Sequence, residues 1–146
     1  MENPETALND VIAGWPVPAA QKAAACRAVF LDAARAADVG PLAESLKWGQ
    51  PAWRPVTPRM GSTLRMDWDA GQPGQLALFV DCKTDLAARM RDLYPDLPGN
   101  DGQRRIVIDL EAPLPEQAIA HLAEMTFGYH RAKRQRGVNA GVVLRG

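Results

Sequence analysis

Cysteine is scarce: only Cys26 and Cys82 occur in 146 residues. Two thiols cannot staple a small scaffold or build a four-thiolate zinc site, so a reduced, cytoplasmic setting is expected. Histidine is equally rare, with His121 and His130 alone. No apolar run approaches the roughly 20 residues that a membrane span requires, which argues against a membrane partner. The first residues, Met1-Glu2-Asn3-Pro4-Glu5, are acidic and show no secretory leader. Net charge is absent too, since 17 basic residues balance 17 acidic ones. That balance gives no argument for nucleic acid or anionic lipid, and neither is expected as a partner. Aromatic residues make up only 6%, yet four of them are tryptophan, so their placement is informative.

What remains is ordinary globular material. An apolar share of 47% excludes wholesale disorder, and 146 residues suit one domain. Residues 131–146 hold Arg131, Lys133, Arg134, Arg136 and Arg145 and no acid, so the rest of the chain is acidic. A basic end of this kind suits phosphate contacts, or simply the C-terminal pole of a helix. We expect residues 1–136 to form the domain. Residues 137–146, with three glycines and no amphipathic period, read as a flexible tail.

Asn3-Pro4-Glu5 has the form of a helix start, and Leu8, Val11, Ile12 and Trp15 give that helix one apolar stripe. Pro18 opens a longer alanine-rich helix running to about Asp38, ended by Gly40, with Leu42 to Leu46 read as one more turn. Prolines 51, 55 and 58 then permit only short, interrupted strands. Residues 62–68 alternate, with Leu64, Met66 and Trp68 on one side and Thr63, Arg65 and Asp67 on the other. They pair as a hairpin with 75–80. A helix capped near Thr84 or Asp85, a strand over 104–110 and a final helix carrying Ile119, Leu122, Met125 and Tyr129 complete the reading. The order predicts an α+β fold of two layers, with N-terminal helices and a C-terminal helix packed on a mainly antiparallel sheet.

Catalytic groups do not assemble. His121 and His130 are nine residues apart, about 180° around one helix, and share no ligand. His121 with Glu124 offers two metal ligands where zinc needs three or four. Cys82, beside Lys83 and Asp81 at a helix start, has no histidine near it in sequence to serve as a base, and Cys26 falls on an apolar stripe. Gly71-Gln72-Pro73-Gly74 has proline where a phosphate cradle needs N–H donors, and Asn100-Asp101-Gly102 lacks the remaining acids of a calcium loop. No metal site, cofactor site or catalytic residue is expected.

Leu46-Lys47-Trp48-Gly49-Gln50-Pro51-Ala52-Trp53 holds two tryptophans in six residues. Their odd offset puts them on opposite faces of a regular strand, unless Gly49 and Pro51 bend it. We expect Trp48, at the helix-to-strand junction, to anchor the core. Trp53, between Pro51 and Pro55, then lines an open rim, with the exchanged order as the alternative. Exposed aromatic anchors carry much of a binding energy, so Lys47, Trp48, Gly49, Pro51 and Trp53 form the candidate ligand site.

Lys47, Trp48, Gly49, Pro51 and Trp53, after two helices and before a hairpin, resemble the Lys-Trp-Gly-x-Pro-x-aromatic stretch of the bacterial YdhG-like domain-of-unknown-function family. The similarity runs from about Leu8 to Arg131. It implies a compact α+β domain without an agreed reaction, and some relatives are described as frataxin-like iron chaperones. Such a role requires clustered carboxylates. The long helix offers only Asp32 and Asp38, set among Lys22, Arg27 and Arg35. The reading is therefore a cytoplasmic, non-enzymatic module that binds a small molecule or a protein, with iron delivery as the alternative.

Overall fold

Asn3 caps α1 (Pro4–Ala13): its side-chain oxygen accepts the Thr6 N–H at 2.8 Å, and Pro4 opens the first turn. The computed structural model describes residues 3–97 and 99–145, with side chains given as far as Gly137. After α1 come α2 (Val17–Ala36) and four strands, β1 (Leu42–Lys47), β2 (Gln50–Pro55), β3 (Leu64–Asp67) and β4 (Gln75–Phe79). The chain continues through α3 (Leu86–Leu93), β5 (Arg105–Asp109), α4 (Glu116–Phe127) and α5 (Tyr129–Arg145). The five strands form one antiparallel sheet in the order β1-β2-β3-β4-β5, each beside its chain neighbour. The fold is α+β, as the order of elements predicts.

Strand alternation divides the sheet into a covered and an open face. Leu64 and Met66 of β3, Leu76 and Leu78 of β4, and Ile106 and Ile108 of β5 join one apolar cluster. The same cluster holds Leu8, Phe30, Leu122 and Phe127 from the helices. Trp53 is fully buried there, its ring edge-on to Phe30 at 5.0 Å, while Phe30 meets Phe127 at 6.5 Å. Aromatic pairs of this kind contribute about 1 kcal/mol each beyond the area they bury. The other face carries Gln50, Arg65, Phe79 and Arg105, which are only partly buried.

Three expectations are corrected. Leu42 to Leu46 is not a helical turn but most of β1, paired from Leu42↔Pro55 to Lys47↔Gln50. α2 is ended not by Gly40 but by Asp38, at φ +54°, whose N–H and that of Val39 donate back to Arg35 O and Ala34 O; Gly40, at φ +81°, lies beyond that turn, and Leu42 and Leu46 share the covered face. The alternation is masked because the inward position between them is Glu44. The final helix is also not continuous. It breaks at Gly128, so His121 and His130 stand on α4 and α5. Segment 60–62 crosses this break: Met60 O accepts the His130 and Arg131 N–H groups, and Ser62 donates to Thr126 O at 2.8 Å. Gly61 lies so close that a Cβ there would sit 2.0 Å from Phe127 O. Backbone is helical through Arg145, while the side chains of 138–145 and all of Gly146 lie outside the described residues, as does the expectation of a flexible 137–146 tail.

Candidate functional site

The β1–β2 connection is a two-residue hairpin loop, Trp48-Gly49, closed by the Lys47↔Gln50 pair. Both loop residues have positive φ, +57° and +76°, the mark of a primed turn whose twist matches the strands. A tryptophan in that conformation is strained, and its ring is 84% exposed. The expected roles of the two tryptophans are therefore exchanged. Trp53 is core and Trp48 stands at the rim, because a turn at 48–49 restores strict alternation from Gln50 onward. Glu44 further fixes Trp53, accepting its indole N–H at 2.9 Å.

A cavity of about 190 Å³ opens beside Trp48 at this end of the open face. Lys47, Arg65 and Arg104 give its lining three cations against one carboxylate, Asp81. Ser62, Thr63 and Cys82 also line it. Each cation arrives from a different element. Lys47 closes the hairpin. Arg65 lies on the outward side of β3, its guanidinium 5.3 Å from the Phe79 ring and donating to Gln50 Oε1 at 2.6 Å. Arg104 precedes β5 in a turn gathered around Asp101, whose Oδ1 accepts the N–H groups of Gln103, Arg104 and Arg105. Desolvation pushes the Asp101 carboxyl up, but those N–H groups outweigh it and hold it below its ordinary value. None of the three cations is ion-paired among the described residues. Asp81 is engaged in part, accepting the Lys83 N–H at 2.9 Å.

Of the candidate residues, Lys47 and Trp48 line this cavity and Gly49 shapes the turn. Pro51 and Trp53 do not contribute, being buried on the covered face with Leu46 and Glu44 as their ladder partners. Arg65, Arg104, Ser62, Thr63, Asp81 and Cys82 were not in the sequence-derived set. For Arg65 a signal existed, because it occupies the outward side of an alternating strand. Arg104 comes from a segment some forty residues away and becomes a neighbour only through β-pairing.

Among the described residues no three His, Cys, Asp or Glu side chains converge as a metal-binding group. His121 is instead engaged by a tyrosine, with Tyr94 Oη 2.8 Å from its Nδ1. No helix among the described residues is long and apolar enough to cross a membrane. Comparison with protein-family models, curated proteins and solved structures finds no match.

Proposed function

We propose that this chain is a cytoplasmic, non-enzymatic binding module of YdhG-like type, whose site is the cationic cavity beside Trp48. The ligand is a small molecule combining an anionic group with a planar ring. One observation carries the reading: a strained, exposed tryptophan stands over a cavity lined by one acid and three cations, none of them ion-paired among the described residues. At about 190 Å³ the cavity is below the range for drug-sized ligands but large enough for a carboxylate or phosphate. The ring then lies outside it, against the Trp48 face. Arginine forks match planar oxyanions, which favours such groups over chloride. The iron-chaperone alternative has no comparable support, since its carboxylates are scattered.

Calorimetric titration with phenyl phosphate, benzoate and inorganic phosphate tests the proposal. Phenyl phosphate is expected to bind about tenfold tighter than inorganic phosphate, equivalent to roughly 1.4 kcal/mol from ring stacking. Trp48→Gly should erase that difference, and Arg104→Gln should weaken every anion. Equal affinities in the parent chain, or no anion binding at all, would overturn the reading. A ferrous-ion response lost on removing carboxylates would favour the alternative.

A further inference from the structure

A larger cavity of about 410 Å³ lies at the opposite end of β5, outside the site already described. Arg104, just before β5, lines the first cavity, and Asp109, the last residue of that strand, lines this one. Five residues of extended chain separate them by roughly 17 Å. The walls are Leu93, Leu97, Val107, Pro113, Pro115 and Ala118, so apolar side chains dominate. Pro95, Pro113 and Pro115 lack N–H groups, which strips donors from the wall. Its volume falls within the range of ordinary small-molecule sites.

The cavity is built rather than incidental. Tyr94, one of its walls, is pinned by His121 through the 2.8 Å bond and an edge-on ring contact. The loop after it is tied down as well, with Leu97 N–H donating to Tyr94 O and Asn100 Nδ2 to Ala87 O. Gly99 packs against β5 so closely that a Cβ would lie 2.6 Å from that of Val107.

Charge selects the occupant. Asp96 and Asp109 line the cavity, and neither is ion-paired among the described residues. Segments 92–97 and 106–121, which supply nearly all of the walls, contain five acids and no lysine or arginine. Lys22 of α2 reaches the lining at Ala112, where its ammonium donates to the backbone O at 2.6 Å and keeps its charge, so the two carboxylates at Asp96 and Asp109 face one cation at the Ala112 wall. β5 is also a sheet edge. Arg105 directs both its N–H and its C=O to Asp101, away from β4. By strand alternation the N–H and C=O groups of Val107 and Asp109 point the same way, so the free edge offers donors and acceptors alike and the two carboxylates alone carry the charge preference.

We infer that this cavity is a second binding site, for a small apolar molecule carrying a positive charge, of the arylalkylamine class. The apolar part fills the Leu93–Ala118 walls, and the ammonium donates to the Asp96 and Asp109 carboxylates at the mouth. It is independent of the anion site. The test is calorimetry on the full chain with 2-phenylethylamine and its anionic counterpart 3-phenylpropionate. The amine is expected to bind at least about tenfold tighter than the carboxylate. Asp96→Asn with Asp109→Asn should remove most of that preference. Both positions are exposed, and circular dichroism before titration confirms folding; if the pair fails, Asp96→Asn alone is titrated and should show part of the loss. Trp48→Gly should leave amine affinity unchanged. Equal binding of the two probes, an amine affinity indifferent to the aspartates, or its loss in Trp48→Gly would each overturn the assignment.

Discussion

Glu44 and Trp53 stand opposite each other in the β1–β2 ladder, and the Trp53 indole N–H donates to Glu44 Oε2 at 2.9 Å. Arg27 of α2 completes the arrangement with a fork, Nε to Oε2 at 2.5 Å and Nη2 to Oε1 at 2.8 Å. One inward carboxylate thus ties the edge strand to the central tryptophan and to the long helix. Donation from Arg27 holds the Glu44 carboxyl below its ordinary value; desolvation opposes this, and the Trp53 bond adds to it. Glu44→Gln should lower stability by about 1–2 kcal/mol in a urea melt, the lower part of the range for charged hydrogen bonds because Arg27 is partly exposed. A depressed carboxylate stabilises the fold above its unfolded value of about 4.3, and that contribution is lost as pH falls through the folded value. The acid limb of the stability profile should therefore be shallower in Glu44→Gln.

The two tryptophans of the hairpin should respond in opposite directions. Trp53→Ala removes a fully buried ring and is expected to lower stability by roughly 3–5 kcal/mol. Trp48→Gly relieves positive φ and removes only exposed surface, so stability should rise by up to about 1 kcal/mol. Denaturant midpoints of the two variants decide the matter. A loss on Trp48→Gly as large as that on Trp53→Ala would mean that its ring is packed.

Thiol labelling should separate the cysteines cleanly. Burial pushes the Cys26 thiol up to about 12, only partly offset by Lys22, and its side chain is enclosed. Cys82 is exposed and lines the cationic cavity beside Trp48. Ellman's reagent should titrate one thiol in the native protein and two after denaturation. On the proposed function, phenyl phosphate should slow the native reaction by filling the same cavity, and an unchanged rate would count against that proposal.

Glycine 61 is where segment 60–62 meets the α4–α5 break, and it has no room for a methyl group. Gly61→Ala should cost about 3 kcal/mol or more, because the obstacle is the Phe127 backbone rather than a movable side chain. Gly74→Ala is the control: its added carbon meets nothing within 4 Å, and thermal melts should show it near the parent.

Much of this arrangement is legible in the residues. Leu64 and Met66 place β3 because both inward positions are apolar, and Asn3-Pro4 places α1 because capping is local. β1 is illegible by the same logic: Glu44 fills an inward position and is satisfied by partners on α2 and β2. The hairpin turn is obscured because Trp48 occupies a place that Asn or Gly usually fills. The cavity beside it combines residues from β1, β3 and the turn before β5, and no linear spacing brings Lys47 to Arg104. What the chain spells locally is its elements. Sites made by pairing become visible only when the strands are laid side by side.

The strict neighbour-to-neighbour order of the sheet has a kinetic consequence. The first three strand pairs close stretches of eight residues or fewer and β4–β5 one of 25 that holds α3, whereas α2 and α4 meet across about eighty intervening residues. Closing a free loop of that length costs roughly 4 kcal/mol of chain entropy. A preformed sheet shortens the effective loop, so helix docking becomes cheap only after the strands have zipped. The Phe30–Phe127 contact then belongs to the late side of the folding barrier. Phe127→Leu should accelerate unfolding in a chevron experiment while leaving the folding limb almost unmoved, and a slowed folding limb would place the helices in the nucleus instead.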